Sequence, residues 1–312
     1  MPAKTSRRHA LTLLGASTTA LALGLVGEPA RATAGDAVSY AAGRFAFGID
    51  GEFAGFIKSA TARDVDVVDA LRATQPSATQ LATISHEPLT LELAPRPGPM
   101  FEWVRRSFDE GYAPRSLTLR GDGSALTLRD VSIESLRVPA LEGTNKDAMY
   151  WTVAVTHGGA STATRGLTTP SDGRPWLRSS FRLEIDGLPC DRVAKIDSFT
   201  LAAARPAEEE SQWPGAQKLP TRPPTTLRLT IDARDLKPWQ AWRDQARALG
   251  YRLAPRVGAV RLIGPEGQEL RVRLSGVRVD SLENVAPRAD GVARFDVQLR
   301  AEAFALELVE PG

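Results

Sequence analysis

The chain writes one phrase twice. FAFGIDG fills residues 45–51 and FRLEIDG fills residues 181–187. Each places apolar side chains at alternate positions and then reads Ile-Asp-Gly. A period of two gives a strand with one buried face, and Asp-Gly is a hairpin turn signal. A strand and turn repeated far apart in 312 residues point to internal duplication. Duplication constrains the fold more tightly than any composition statistic.

The flanking residues extend the match. In the first copy EFAGFIKSATA reads as a second strand. Residues 63–87 show mixed periodicity and no decisive helix caps, so they read as a long loop with local structure. LTLEL (89–93) is a strand. MFEWVRRSFDEG follows as a helix with Phe101, Val104 and Phe108 on one face and Gly111 as its stop. SLTLR, GDGS and ALTLRDVSIESLRV form a hairpin into a long strand, and YWTVAVTH (150–157) closes the copy.

The second copy keeps this order. LPCDRVAKIDSFTLAA follows its first strand, and a long loop spans 204–224. TLRLTID (226–232) is a strand. DLKPWQAWRDQARALG is a helix with Trp239, Trp242, Ala246 and Leu249 on one face. Asp235 is its N-cap. AVRLI, GPEG and QELRVRLSGVRVDSL give the hairpin, and ARFDVQLRAEAFALEL closes. Leu89 matches Leu227, Trp103 matches Trp242, and VSIESL (131–136) matches VRVDSL (277–282).

The expected fold is therefore mainly β, with two tandem β-barrel or sandwich domains that each carry one short α-helix. The domains are 35–160 and 178–312. Residues 161–177, rich in Gly, Pro, Ser and Thr, form the linker. Each helix would cover an open edge or end of its sheet.

Residues 1–34 read as an export signal. Lys4, Arg7 and Arg8 form a basic segment, Ala10 to Val26 an Ala/Leu-rich one, and two small-residue cleavage options end at Ala32 and Ala34. The arginine pair in SRRHALTLL resembles a twin-arginine signal. Thr12, Gly15, Ser17, Thr18, Thr19 and Gly24 dilute the apolar stretch, which argues against a stable membrane span. The expected location is outside a bacterial cytoplasm, periplasmic or extracellular. The lone Cys190 cannot form an intramolecular disulfide.

Little catalytic chemistry is visible. Beyond the signal the histidines are His86 and His157, and no HExxH, GxSxG or GxxxxGK[ST] occurs. One cysteine and two distant histidines do not suggest a zinc site. Cys190 matches a position near Ala54 in the first copy, so no nucleophile is duplicated. Glu208–Glu210 read as a solvated loop tip, and Trp239 and Trp242 as core. Trp176 and Trp213 are freer candidates for an interface. No catalytic, cofactor-binding or metal-binding residue is assigned. A balance of 39 basic against 37 acidic residues, net +2, gives no reason to expect nucleic acid.

FAFGIDGEFAGFIKSATA, LTLELAPRPGPMFEWVRRSFDEG and SLTLRGDGSALTLRDVSIESLRVPALEG resemble the tail tube proteins of contractile bacteriophages. The middle phrase is similar to that family's strand followed by a helix with a Glu-Trp pair, here Glu102-Trp103. The second copy follows the pattern more loosely and lacks the Glu before Trp242. Together the copies span most of residues 43–308. The resemblance implies a small β-barrel with a helix, a fold shared with the haemolysin-coregulated proteins of type VI secretion. Such domains form six-membered rings that stack into tubes, and they need no catalytic residue. Tail tube proteins are single domains without a signal, whereas this chain has two copies behind one.

The resulting expectation is a non-enzymatic structural protein that self-associates, with three chains forming a pseudo-hexamer. Other tail-like or secretion components are the further partners it implies. The loops 63–87 and 204–224, at equivalent places, are the expected contact arms. A second reading keeps the scaffold but makes it a secreted module for a carbohydrate or protein ligand. Exposed tryptophans gathered in one groove would favour that reading, and apolar strand edges on opposite sides would favour rings.

Overall fold

The computed structural model describes residues 45–72, 76–111, 113–121, 124–163, 167, 174–204, 222–285 and 292–310. The export signal, Trp213 and Glu208–Glu210 lie outside them. β1 (Ala46–Ile49) and β2 (Glu52–Ala62) form a hairpin about Asp50-Gly51. Both turn residues take positive φ, 51° and 90°. That is the two-residue geometry for which Asp-Gly is suited. The first half continues with β3 (Val65–Asp66), α1 (Val67–Arg72), α2 (Ala78–His86), β4 (Leu89–Leu93) and α3 (Pro99–Asp109). It ends with β5 (Arg115–Arg120), β6 (Ala125–Val138), β7 (Leu141–Glu142), β8 (Trp151–Thr156) and β9 (Gly159–Ala163).

The second half runs β10 (Phe181–Ile185), β11 (Val193–Ile196), β12 (Phe199–Ala202), β13 (Thr225–Asp232) and α4 (Leu236–Leu249). It then adds β14 (Arg256–Ile263), β15 (Glu269–Val285), β16 (Arg294–Ala301) and β17 (Ala303–Val309). The protein is mainly β, with two barrel-like sheets and a few short helices.

The two sheets repeat one topology. The first runs β1-β5-β6-β8-β4-β2, and β2 returns to pair with β1, which closes a barrel. The second runs β10-β14-β15-β16-β13-β11, the same order in matching strands. Even the irregularities match. Register shifts fall at Ile57/Ser59 and Val193/Lys195, at Arg115/Leu117 and Arg256/Gly258, and at Ile133/Ser135 and Val279/Ser281. A β-bulge is a built-in bend that re-aims a strand, so three matched bulges carry the duplication down to single residues. The first turn is also latched alike. Arg115 pairs with the Asp50 carboxylate at 3.2 Å, and the matching Arg256 donates to the Asp186 carbonyl.

The second barrel does not close. β10 and β11 do not pair with each other, and one residue accounts for it. Phe53, which pairs with Gly48 in the first hairpin, is matched by Pro189. Proline has no N–H for the ladder and interrupts a strand. The chain turns tightly instead, with Leu188 N–H donating to the Ile185 carbonyl and Val193 N–H to the Cys190 carbonyl. Trp239 of α4, fully buried, fills the matching place of Met100 and donates from Nε1 to the freed Pro189 carbonyl at 3.1 Å.

Four expectations need correction. The local structure expected in the 63–87 loop is two helices, and a decisive cap is present after all: α2 starts on a capping box in which Ser77 and Gln80 satisfy each other's backbone N–H. Asp235 stands at the cap position of α4 but caps nothing. Its carboxylate takes Arg192 at 2.7 Å instead. Trp239 and Trp242 are buried as expected, yet Leu249 is 49% exposed. Trp176 is 3% exposed and packs in the core, so it is not available for an interface.

The halves are interlocked. After Ile196 the chain leaves its own sheet, and β12 pairs antiparallel with β6 of the first barrel. In return β7 of the first half pairs with β11 of the second. Residues at the matching place in the first half, 63–66, turn back through Arg63 (φ 49°) so that β3 pairs with β2.

Candidate assembly surface

Among the described residues the chemistry-bearing side chains do not converge. His86 ends α2 and is exposed. His157 is structural. Gly159 N–H donates to its Nδ1 at 3.1 Å, so the ring proton sits on Nε2, which donates to the Glu87 carbonyl at 3.1 Å. Among the described residues no group of three His, Cys, Asp or Glu is placed to hold a metal ion. Among them, too, no helix is long and apolar enough to cross a membrane.

Cys190 lies half-buried beside the gap left by Pro189, and its Sγ–H points at the Leu188 carbonyl, 3.6 Å away. Burial pushes its pKa up to about 11, and the nearby carboxylates of Asp191, Asp235 and Glu184 add to this. At pH 8 the thiolate fraction is then only about one part in a thousand, and the thiolate is the nucleophile. Alkylation by iodoacetamide at pH 8 should run roughly a hundredfold slower than for a free peptide thiol. It should rise about tenfold per pH unit up to about pH 11. A rate that levels off near pH 8.5 would contradict this.

The surface with most structure is the seam between the halves. β12 lies on the edge of β6 with Phe199 opposite Val138, Thr200 opposite Arg137 and Leu201 opposite Leu136. Leu136, Val138, Phe199 and Leu201 are all buried. Arg137 donates to Ser198 Oγ at 2.7 Å, and Ala203 N–H to the Glu134 carbonyl at 2.9 Å. A second contact joins α3 to β17. Phe108 meets Phe304 edge-on at 5.3 Å. Arg222 stacks 4.5 Å from the Phe304 ring centre and donates to the carbonyls of Phe108 and Phe304. Burial pulls this guanidinium's pKa down.

Arg222 and Ala203 stand on either side of residues 205–221, and each donates to a carbonyl of the first half. Residues 205–221 lie outside the described residues. Within the other expected arm, 63–87, α2 touches β9 of its own half. Ser85 Oγ of α2 reaches the carbonyl of Ala160 in β9 at 3.4 Å.

The seam uses different faces of the two halves. The first contributes the β6 edge, β7 and the end of α3, and the second contributes β11, β12 and β17. A contact of this head-to-tail kind leaves one matching face unused at each end. On the second half the match of the β6 edge is Ser281–Asn284 of β15. Among the described residues no strand pairs with its outer side. Leu282 is only half-buried where its match Leu136 is 1% exposed, and Glu283 and Asn284 are exposed. Beside this edge, α4 and β15 frame a cleft of about 390 Å³ lined by Trp242, Ala246, Leu253, Val277 and Val279. Leu249 stands exposed at the end of α4.

No strand pattern marked this surface in advance. FTLA alternates like any other strand and says nothing about which sheet it joins. No family model matches the sequence, and no curated protein matches it.

Proposed function

We propose that this chain is a non-enzymatic structural protein that self-associates head to tail through strand edges, built on the plan of the phage tail tube proteins it resembles. In this reading the chain is exported, by the twin-arginine route suggested by residues 1–34, and three chains supply six barrels to one ring. The observation that carries the proposal is the seam. Two barrels of one topology already dock by unlike faces, and among the described residues no strand covers the matching face of the second. An interface between copies of one fold is the unit from which a ring is made.

The ligand-binding reading has less support. Trp103, Trp151, Trp176, Trp239 and Trp242 are all buried, so among the described residues no tryptophan offers a stacking platform.

Light scattering coupled to size exclusion, on the chain without its first 34 residues, tests the proposal. The expected mass is three times that of the chain and falls on dilution. A single-chain mass at every concentration overturns it.

A further inference from the structure

We infer that the outer edge of β15, Ser281–Asn284, is a strand acceptor, and that its occupant is residues 63–66 from the first half of a second copy. The inference rests on the proposed self-association and gives it a register.

The argument is an internal comparison. Within one chain the acceptor edge of β6 is filled by β12. Matched through the shared bulge after Ile57 and Val193, β12 corresponds to the segment of Arg63–Asp66. A chain therefore carries two donors and two acceptors of one type. One donor and one acceptor are joined in the seam. What remains is the β15 edge on one side and residues 63–66 on the other. A second copy is the occupant that supplies the missing partner with the right strand direction.

The free donor is lightly held. β3 meets β2 through two residue pairs, Thr61 with Asp66 and Ala62 with Val65. Its turn rests on Arg63 in the left-handed region, which an arginine adopts at a cost. The added Arg63–Glu87 ion pair is 2.6 Å long with the arginine side chain 65% exposed, and such surface pairs contribute little. Straightening 63–65 leaves Asp66 free to keep capping α1, where its carboxylate accepts from the N–H groups of Val68 and Asp69.

Transferring the seam's register to the new pair places Leu282 opposite Val65, as Leu136 lies opposite Leu201. It places Asn284 opposite Arg63 and Glu283 opposite Asp64. The first pair buries the half-exposed Leu282. The last sets two carboxylates face to face, which weakens a sheet pair and keeps the contact reversible.

Two chains test this, each in a Cys190→Ser background. One carries Asp64→Cys and the other Glu283→Cys. Mixed and mildly oxidised, they should give a disulfide-linked dimer at least tenfold more abundant than either chain gives alone. Separately, Glu283→Lys replaces repulsion by attraction across from Asp64 and should tighten association about fivefold by dilution light scattering. If the parent chain forms oligomers but the mixture gives no excess cross-link, or Glu283→Lys leaves association unchanged or weaker, this edge is overturned while self-association stands. If the parent chain stays a monomer throughout, both fall.

Discussion

Replacing Trp239 with alanine should lower the unfolding free energy by about 3–5 kcal/mol, the range for removing a fully buried large aromatic. The position is special because of what it closes. In the first barrel β1 and β2 pair and no plug is needed, so Met100 suffices at the matching place. In the second, Pro189 breaks the ladder and Trp239 fills the opening, packed edge-on against Trp242 at 6.1 Å. Its indole N–H also satisfies the Pro189 carbonyl. Trp239→Phe keeps most of the volume but removes the donor to that half-buried carbonyl, and should cost about 0.5–1.5 kcal/mol beyond the lost packing. Trp103→Phe is the control. Trp103 Nε1 is buried with no partner, so the same exchange there removes an unsatisfied donor and should be milder. Urea unfolding followed by far-UV circular dichroism reads all three. Equal losses for the two Trp→Phe variants would show that the Pro189 bond is not what distinguishes them.

The repeat made the architecture legible because barrel strands obey a local rule. Leu89, Leu91 and Leu93 alternate with Thr90 and Glu92, and the alternation alone fixes which face is buried. The helix faces were legible for the same reason, since Phe101, Val104 and Phe108 repeat with helical spacing and are all buried. Ser77 and Gln80 also stood at capping-box spacing ahead of α2, a local signal that the irregular apolar pattern of 63–87 obscured. What was not legible is non-local. Asp235 has the chemistry of a cap, but Arg192, distant in sequence, takes its carboxylate. Trp176 sits in a polar, Gly-rich stretch, yet the ring meets Gly264, where a side chain would clash with it. The crossing of β12 is the deepest case. Its alternation says only which face is buried, and which sheet it joins depends on which edge lies open nearby.

That crossing makes a second large effect. Leu201→Ala should destabilise the chain by about 2–5 kcal/mol, since Leu201 is fully buried against Leu136. The telling part is where the loss appears. Leu201 belongs to the second half in sequence, but its strand is an edge of the first barrel. Hydrogen exchange should therefore rise in β6 around Leu136 and Val138 as well as in β12. Thermal unfolding should stay a single transition, because β7 and β12 tie each barrel to the other half. Two tandem domains without the exchange would behave differently. Their unfolding would split into two steps, only the second half would lose protection, and β6 would exchange as in the parent chain. The same experiment bears on assembly. If an edge of this kind holds its strand strongly enough for one leucine to matter across the seam, then the matching edge of β15, with Leu282 half-exposed, is an unmet demand of the same physical kind.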